Sequence, residues 1–281
     1  MTQAPVFVLA PPLGLGAHLA ACLGRHPQLT DLPAVQLMCA ESPQALAASW
    51  GPKLQGHDHG LIRAAAALKF GGDTQDGVAE AAAWLAEHQS HTSRELFADL
   101  AEAAAPGSLV DASFLYCVED SALPRIIAAC PDARFIHLVR HPGLCFETPE
   151  TAAKRSEGLW LRPHLRAHAF LKQQAPLNWL ILRAEWLAAD PQPRLASLFD
   201  WLGIEAGQDV LDRVTDPNTP TPFAKRGPEA AAFGVDPALV ADPGLDALFN
   251  APAAPELDEE AWAARGFDPE LRAMARVFGY V

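Results

Sequence analysis

The feature that most constrains this chain lies at its start. Val6-Phe7-Val8-Leu9 is an unbroken run of β-prone apolar residues, short enough to be a strand buried on both faces. Pro11 and Pro12 break the run, Gly14 and Gly16 supply a turn, and residues 17–23 have helical composition up to the stop signals Gly24 and Pro27. Strand, glycine-bearing turn and helix, in that order, gather free backbone N–H groups and the positive end of a helix dipole at one point. The geometry suits an anion.

The rest of the chain repeats the alternation. Residues 109–111, 134–140 and 179–182 read as further short strands, while 61–70, 78–104, 123–129 and 193–202 are helical in composition and spacing. Strands alternating with helices predict an α/β fold, a parallel sheet flanked by crossover helices. After residue 215 strand-like runs stop and proline recurs from Pro217 to Pro255, so a loop-rich C-terminal extension is expected, closed by a helix over 269–278. No repeat or low-complexity linker divides the 281 residues. The expectation is one domain over 1–281, with an α/β core at 1–215 and a C-terminal wrap at 216–281.

Charge narrows the function classes. Twenty-one basic against 34 acidic side chains leave a formal charge of −13, which argues against nucleic acid or an anionic membrane as partner. Any anion site must be local. No apolar run reaches the roughly 18 residues of a membrane span, and the N-terminus has no signal-peptide pattern, so a cytoplasmic chain is expected. The five cysteines are odd in number and scattered, which points to buried thiols rather than to disulfides or a zinc ribbon. In the first turn, Leu13-Gly14-Leu15-Gly16-Ala17-His18 lacks the lysine and hydroxyl of a Walker loop, and Leu19 stands where a dinucleotide fingerprint needs its third glycine.

Three stretches, in order, resemble the bacterial sulfotransferase family: PVFVLAPPLGLGAHLAACLGRHPQLTDLP, ACPDARFIHLVRHP and ILRAEWLAADPQPRLASLFDWLGIE. The resemblance spans residues 5–205. It implies a P-loop nucleotide-hydrolase-like sulfotransferase fold and transfer of a sulfuryl group from 3′-phosphoadenosine 5′-phosphosulfate (PAPS) to a small-molecule or peptide acceptor, without a metal. Carried over by position, Arg140 stands where the family holds the 3′-phosphate and Thr148 replaces its serine. A guanidinium grips phosphate in a bidentate way, and a hydroxyl adds one donor. Lys225-Arg226-Gly227 weakly resembles a late basic turn that meets the same phosphate; a solvated surface pair is the other reading.

The 5′ half departs from the family. Pro12, Leu13, Gly14, Leu15, Gly16 and Ala17 occupy the loop that would cradle the 5′-phosphosulfate, and only backbone amides remain there where the family has a basic residue and hydroxyls. In VDASF, Asp111 and Ser113 match the family's Val-Asp-Lys-Ser/Thr-Pro, but its lysine has become Ala112. His18 follows the turn and is a candidate replacement, set against a plain helix-surface histidine. His91, with Glu87 and His88, and the His57-Asp58-His59 loop are candidates for the base that takes the acceptor's proton. That loop and the pair His164 and His168, at i and i+4, also have metal-ligand spacing, yet no third ligand is near in sequence and no metal is expected. Two readings stand side by side: a PAPS-dependent transferase, and an inactive pseudo-sulfotransferase that acts as a binding or scaffold subunit. A nucleotide-dependent phosphotransferase is third, disfavoured by the missing lysine. Acceptor and homo- or hetero-oligomeric state are open.

Overall fold

The computed structural model describes residues 4–146, 148–175 and 178–280. Five strands form one sheet: β1 (Val6–Leu9), β2 (Leu29–Asp31), β3 (Ser108–Asp111), β4 (Arg134–Val139) and β5 (Trp179–Arg183). Their order is β2-β3-β1-β4-β5 and every pairing is parallel. The chain leaves β1 toward β2 on one side, returns through β3, and crosses over β1 to β4 and β5. The topological switch therefore falls between β1 and β4, the place where open α/β sheets bind ligands beyond the carboxyl ends of their strands.

The period-2 alternation of β1 decides what each face buries. Phe7 and Leu9 face one core, with Phe7 stacked at 5.5 Å on Phe97 and 5.8 Å on Phe135. Val6 and Val8 face the other, against the helix α1 (Gly16–Leu23) and the helix over Pro191–Leu202. Both faces of the strand are dry, as the continuous apolar run predicts. Gly203, in the left-handed region at φ 76°, ends the second helix.

The helical stretch over 78–104 divides in two, α2 (Gln75–Glu87) and α3 (Ser93–Ala104). Thr92 starts the second with a capping box, its side chain accepting from Glu95 N–H while the Glu95 carboxylate accepts from Thr92 N–H. Strand β2 is absent from the sequence reading: Leu-Thr-Asp has no apolar run, and its pairing with β3 makes it a strand.

Beyond residue 215 the chain is short helices and loops, ending in α4 (Pro269–Val277). It is anchored at the carboxyl end of β4. Tyr280 O–H donates to Glu185 Oε2 at 2.6 Å, and the other oxygen of that buried carboxylate accepts from His141 N–H at 2.7 Å. A second anchor is backbone on backbone. Ala34 N–H donates to Gly234 O at 2.9 Å, and Gly234, at φ 85°, lies so near Gly60 that a Cβ would sit 2.2 Å from the Gly60 nitrogen.

Candidate functional site

The turn after β1 is tight. Gly14 N–H donates to Pro11 O at 3.0 Å, and Leu13 and Leu15 both lie in the left-handed region, at φ 70° and 64°. That region is costly for a branched side chain, on the order of 1 kcal/mol or more each. Burial of Leu15 in the core beneath α1 offsets its share, whereas Leu13 stays 46% exposed. A Cβ on Gly16 would come within 2.9 Å of the Ala10 Cβ, so glycine lets α1 start hard against the end of β1. Leu15 is the N-cap and has no side-chain acceptor, which leaves the first-turn amides of α1 uncapped.

Pro12, Leu13, Gly16 and Ala17 form one wall of a 390 Å³ cavity over the carboxyl ends of β1, β2 and β3. Asp31 enters from the last position of β2, Gln36 from beyond it, and Ala112 and Phe114 from beyond β3. His57 and, from the C-terminal wrap, Phe223, Phe233 and Asp236 complete it. The loops after β2 and β3 brace each other. Gln36 N–H donates to Ser113 Oγ at 2.9 Å, and Leu115 N–H donates to Gln36 Oε1 at 3.3 Å. Asp111 accepts from Ser113 N–H at 2.9 Å and from Tyr116 O–H at 2.7 Å; burial pushes its carboxyl up to about 6 against those hydrogen bonds. Asp111 and Ser113 thus hold the loop that presents Ala112 to the cavity.

Asp31 is 6% exposed and forms no ion pair among the described residues. Burial pushes its pKa up to about 7, opposed by a hydrogen bond from its own backbone and by Arg25. Its carboxylate packs on Gly24, where a Cβ would meet Oδ1 at 2.2 Å.

Arg140 reaches back from the end of β4 to the first turn. Its Nη1 donates to Leu13 O at 3.3 Å, and its Nε is buried without a partner among the described residues. His18 is 1% exposed, with both ring nitrogens lacking a hydrogen bond and Asp242 Oδ2 at 3.5 Å from Nε2. Burial lowers its pKa; Asp236 and Asp242 oppose that, and Arg140 adds to it. It is a buried histidine, not a helix-surface one. Thr148 serves as an N-cap: Oγ1 accepts from Thr151 N–H at 3.2 Å and lies 2.9 Å from Thr151 Oγ1.

The remaining candidates fall elsewhere. Lys225 and Arg226 are exposed and do not line the cavity, although Lys225 O accepts from Arg63 Nη2 at 3.0 Å and Gly227 packs on the Arg63 stem. His91 sits between α2 and α3 with its ring 4.5 Å from that of His88, outside the cavity wall. His59 stacks on Phe233 at 5.6 Å. His164 does meet a neighbour invisible in sequence: its Nδ1 lies 2.9 Å from His137 Nε2 in a dry interior beside Trp160 and Phe278. Among the described residues no group of three or more His, Cys, Asp or Glu could hold a metal ion.

The sequence reading missed Asp31, Gln36, Phe114, Phe223 and Phe233. Asp31 had one signal, an acidic residue closing a segment between His26-Pro27 and Pro33 that resembles the family's short Leu-Pro segment. Phe114 closes the VDASF stretch, which is read for its other residues, while Phe223 and Phe233 had no signal, because their approach depends on how the C-terminal wrap crosses the sheet. No helix among the described residues is long and apolar enough to cross a membrane.

Comparison with known proteins agrees with this architecture. The "Sulfotransferase Domain from the Curacin Biosynthetic Pathway" superposes with a TM-score of 0.77 at 21% identity, covering 100% of this chain and 99% of that one. The "Sulfotransferase Domain from the Synechococcus PCC 7002 Olefin Synthase" gives 0.72 at 20% identity, covering 100% and 97%. At these identities the likeness speaks for the fold alone. No curated protein matches by sequence. The model of the sulfotransferase family, however, matches residues 5–208, which takes in the first turn, all five strands and Arg140. With that match laid over a parallel sheet whose switch point joins Arg140 to the β1 turn, the chain belongs to the sulfotransferase family.

Proposed function

We propose that this protein moves a sulfuryl group from PAPS to a hydroxyl or amine of a small-molecule or peptide acceptor. In this reading Arg140 holds the 3′-phosphate and the uncapped amides of α1 receive the 5′ end. One observation carries it: the Arg140 guanidinium, hydrogen-bonded to Leu13 O, joins the ends of β4 and β1 across the switch point. The residues fit an anion there. Arg140 keeps donors unspent, its buried Nε among them. PAPS brings the sulfuryl group; the chain binds it, orients it and keeps water out. Thr148, used here as a helix cap, and the Lys225-Arg226-Gly227 turn are secondary candidates for the same phosphate.

A second reading, binding without transfer, has its own support. Ala112 faces the cavity where the family carries lysine, and among the described residues the wall contains two carboxylates and no lysine or arginine. Loss of one good transition-state donor lowers rate by on the order of 10²- to 10³-fold.

Calorimetry with adenosine 3′,5′-bisphosphate tests the common core of both readings. Saturable binding is expected, weakened by about tenfold or more in Arg140→Ala, the scale of one charge-assisted phosphate contact. An absence of binding at millimolar nucleotide, or an Arg140→Ala variant that binds as well as the parent, overturns the assignment. Labelled PAPS with an acceptor panel then separates transfer from binding alone.

A further inference from the structure

The cavity and the nucleotide-facing groups have opposite electrostatic characters. Among the described residues that line the cavity, the carboxylic acids are Asp31 and Asp236, and no lysine or arginine joins them. Two nearby cations are engaged, and the third, Arg140, stands outside the wall. Arg25 donates to Val214 O, Asp216 O and Thr221 Oγ1; Arg63 is paired with Asp73 at 2.6 Å; Arg140 donates to Leu13 O outside the cavity wall. One oxygen of Asp236 caps a short helix through Ala238 N–H at 2.9 Å, whereas Asp31 is buried with no ion pair among the described residues. The charge of Arg25 reaches Asp31, but its hydrogen bonds go to other acceptors; a buried carboxylate left without a directly paired cation is costly, and a bound cation reduces that cost.

The remaining wall is largely apolar. Phe114, Phe223 and Phe233 contribute aromatic surface, Phe223 and Phe233 being steadied by Arg63 at 5.6 Å and His59 at 5.6 Å respectively. Aromatic faces attract ammonium groups and shun anions. The volume, 390 Å³, is that of a small-molecule site. Leu13 and Phe233, each a little under half exposed, border it and give an apolar stem a surface to lie along.

We infer that this cavity takes an alkyl or arylalkyl amine: an apolar body against the phenylalanines and prolines, with its ammonium directed to Asp31 and Asp236. The inference deepens the transfer reading, on which it rests for treating the cavity as the acceptor's place, by choosing amines over alcohols. In transfer the ammonium would first give a proton to one of the two carboxylates, the freed nitrogen would form the bond to sulfur, and the bond from sulfur to the 5′-phosphate oxygen would break, releasing adenosine 3′,5′-bisphosphate. A carboxylate in place of the ammonium would be repelled by the same two acids. The binding itself does not require that PAPS be present.

Calorimetry on the full chain at pH 7.5 with a matched series, octylamine, 1-octanol and octanoate below any micellar concentration, tests this directly. Octylamine is expected to bind one-to-one and at least about tenfold tighter than 1-octanol, with octanoate weakest, as a buried charge contact implies. Asp31→Asn, which keeps the shape packed on Gly24, should abolish most of that preference and leave 1-octanol binding unchanged. Asp236→Asn serves as the second variant if Asp31→Asn does not fold, as judged by its thermal melt. Octanoate binding as tightly as octylamine, no saturable binding of octylamine, or an amine preference that survives in both variants overturns the inference. If octylamine fails while the bisphosphate binds, the transfer reading stands and only the amine is lost. If octylamine binds and the bisphosphate does not, the reverse holds.

Discussion

Lowering the pH from 8 to 5 should expose a liability built into the core. His137 Nε2 and His164 Nδ1 lie 2.9 Å apart, at 0% and 1% exposure, while His137 Nδ1 and His164 Nε2 have no hydrogen-bond partner among the described residues. One neutral imidazole donates to the other, and a proton added to either would be a buried, unpaired charge. Burial first, with neighbouring imidazoles second, lowers His137 from 6.5 to about 3 and drives His164 well below its ordinary value. A histidine whose folded pKa is depressed gives stability that is fully present above the unfolded pKa. That stability is lost as pH falls from 6.5 toward the folded value. For 6.5 against about 3, the loss between pH 8 and pH 5 is about 2 kcal/mol from His137 alone, and His164 adds to it with the same sign.

The raw pH curve mixes this with other groups. His141, lowered to about 4 by burial and then by Arg265 and Arg183, loses about 2 kcal/mol over the same range. Asp31, raised to about 7, works in the opposite sense: its folded form gains about 2–3 kcal/mol as pH falls from 8 to 5. The decisive quantity is therefore a difference between proteins. Urea unfolding followed by tryptophan fluorescence at constant ionic strength, at pH 8 and pH 5, should be run on the parent and on the double variant His137→Leu with His164→Leu. The variant should lose at least about 2 kcal/mol less stability across that range than the parent. Equal losses, within about 0.5 kcal/mol, would refute the claim that this pair is held neutral by burial.

Two further substitutions probe the cavity walls. Gly234→Ala puts a Cβ at a positive φ and 2.2 Å from the Gly60 nitrogen; it should cost at least about 2 kcal/mol, a Tm drop of about 4–8 °C. Gly203→Ala, at φ 76° with nothing within 4 Å, is the control and should cost only about 1 kcal/mol. Ala112→Lys would return a cation beside Gly16, where an added Cβ would lie 3.8 Å from that of Ala112. It should raise affinity for PAPS by about tenfold and lower affinity for octylamine, read by the same calorimetry; a parallel change in both ligands would contradict the charge argument.

Much of the scaffold was legible from local pattern. The run Val6–Leu9, the turn glycines, the helix that follows and the later strands all rest on interactions between near neighbours in sequence, which periodicity records. The Arg140 position could be read because β4 ends in a stretch that resembles the family, and the switch-point rule places strand ends together. Strand β2 escaped because three residues carry no period. His91 is a candidate by residue type and Lys225-Arg226-Gly227 by resemblance to a late basic turn; neither lines the cavity, and nothing in sequence tells which face of a distant loop turns inward.

Sequence alone thus determined the parallel α/β frame, the anion-ready turn and the absence from it of side-chain cations, because each is a property of contiguous residues. Tertiary structure alone decided that Asp31 and Asp236 share a cavity, that phenylalanines from residues 114 to 233 close it, and that His137 meets His164. Those arrangements come from chain crossings that span long stretches of sequence or from faces of packed elements. Their energies depend on burial and on the lack of a partner, and neither exists until the chain is folded.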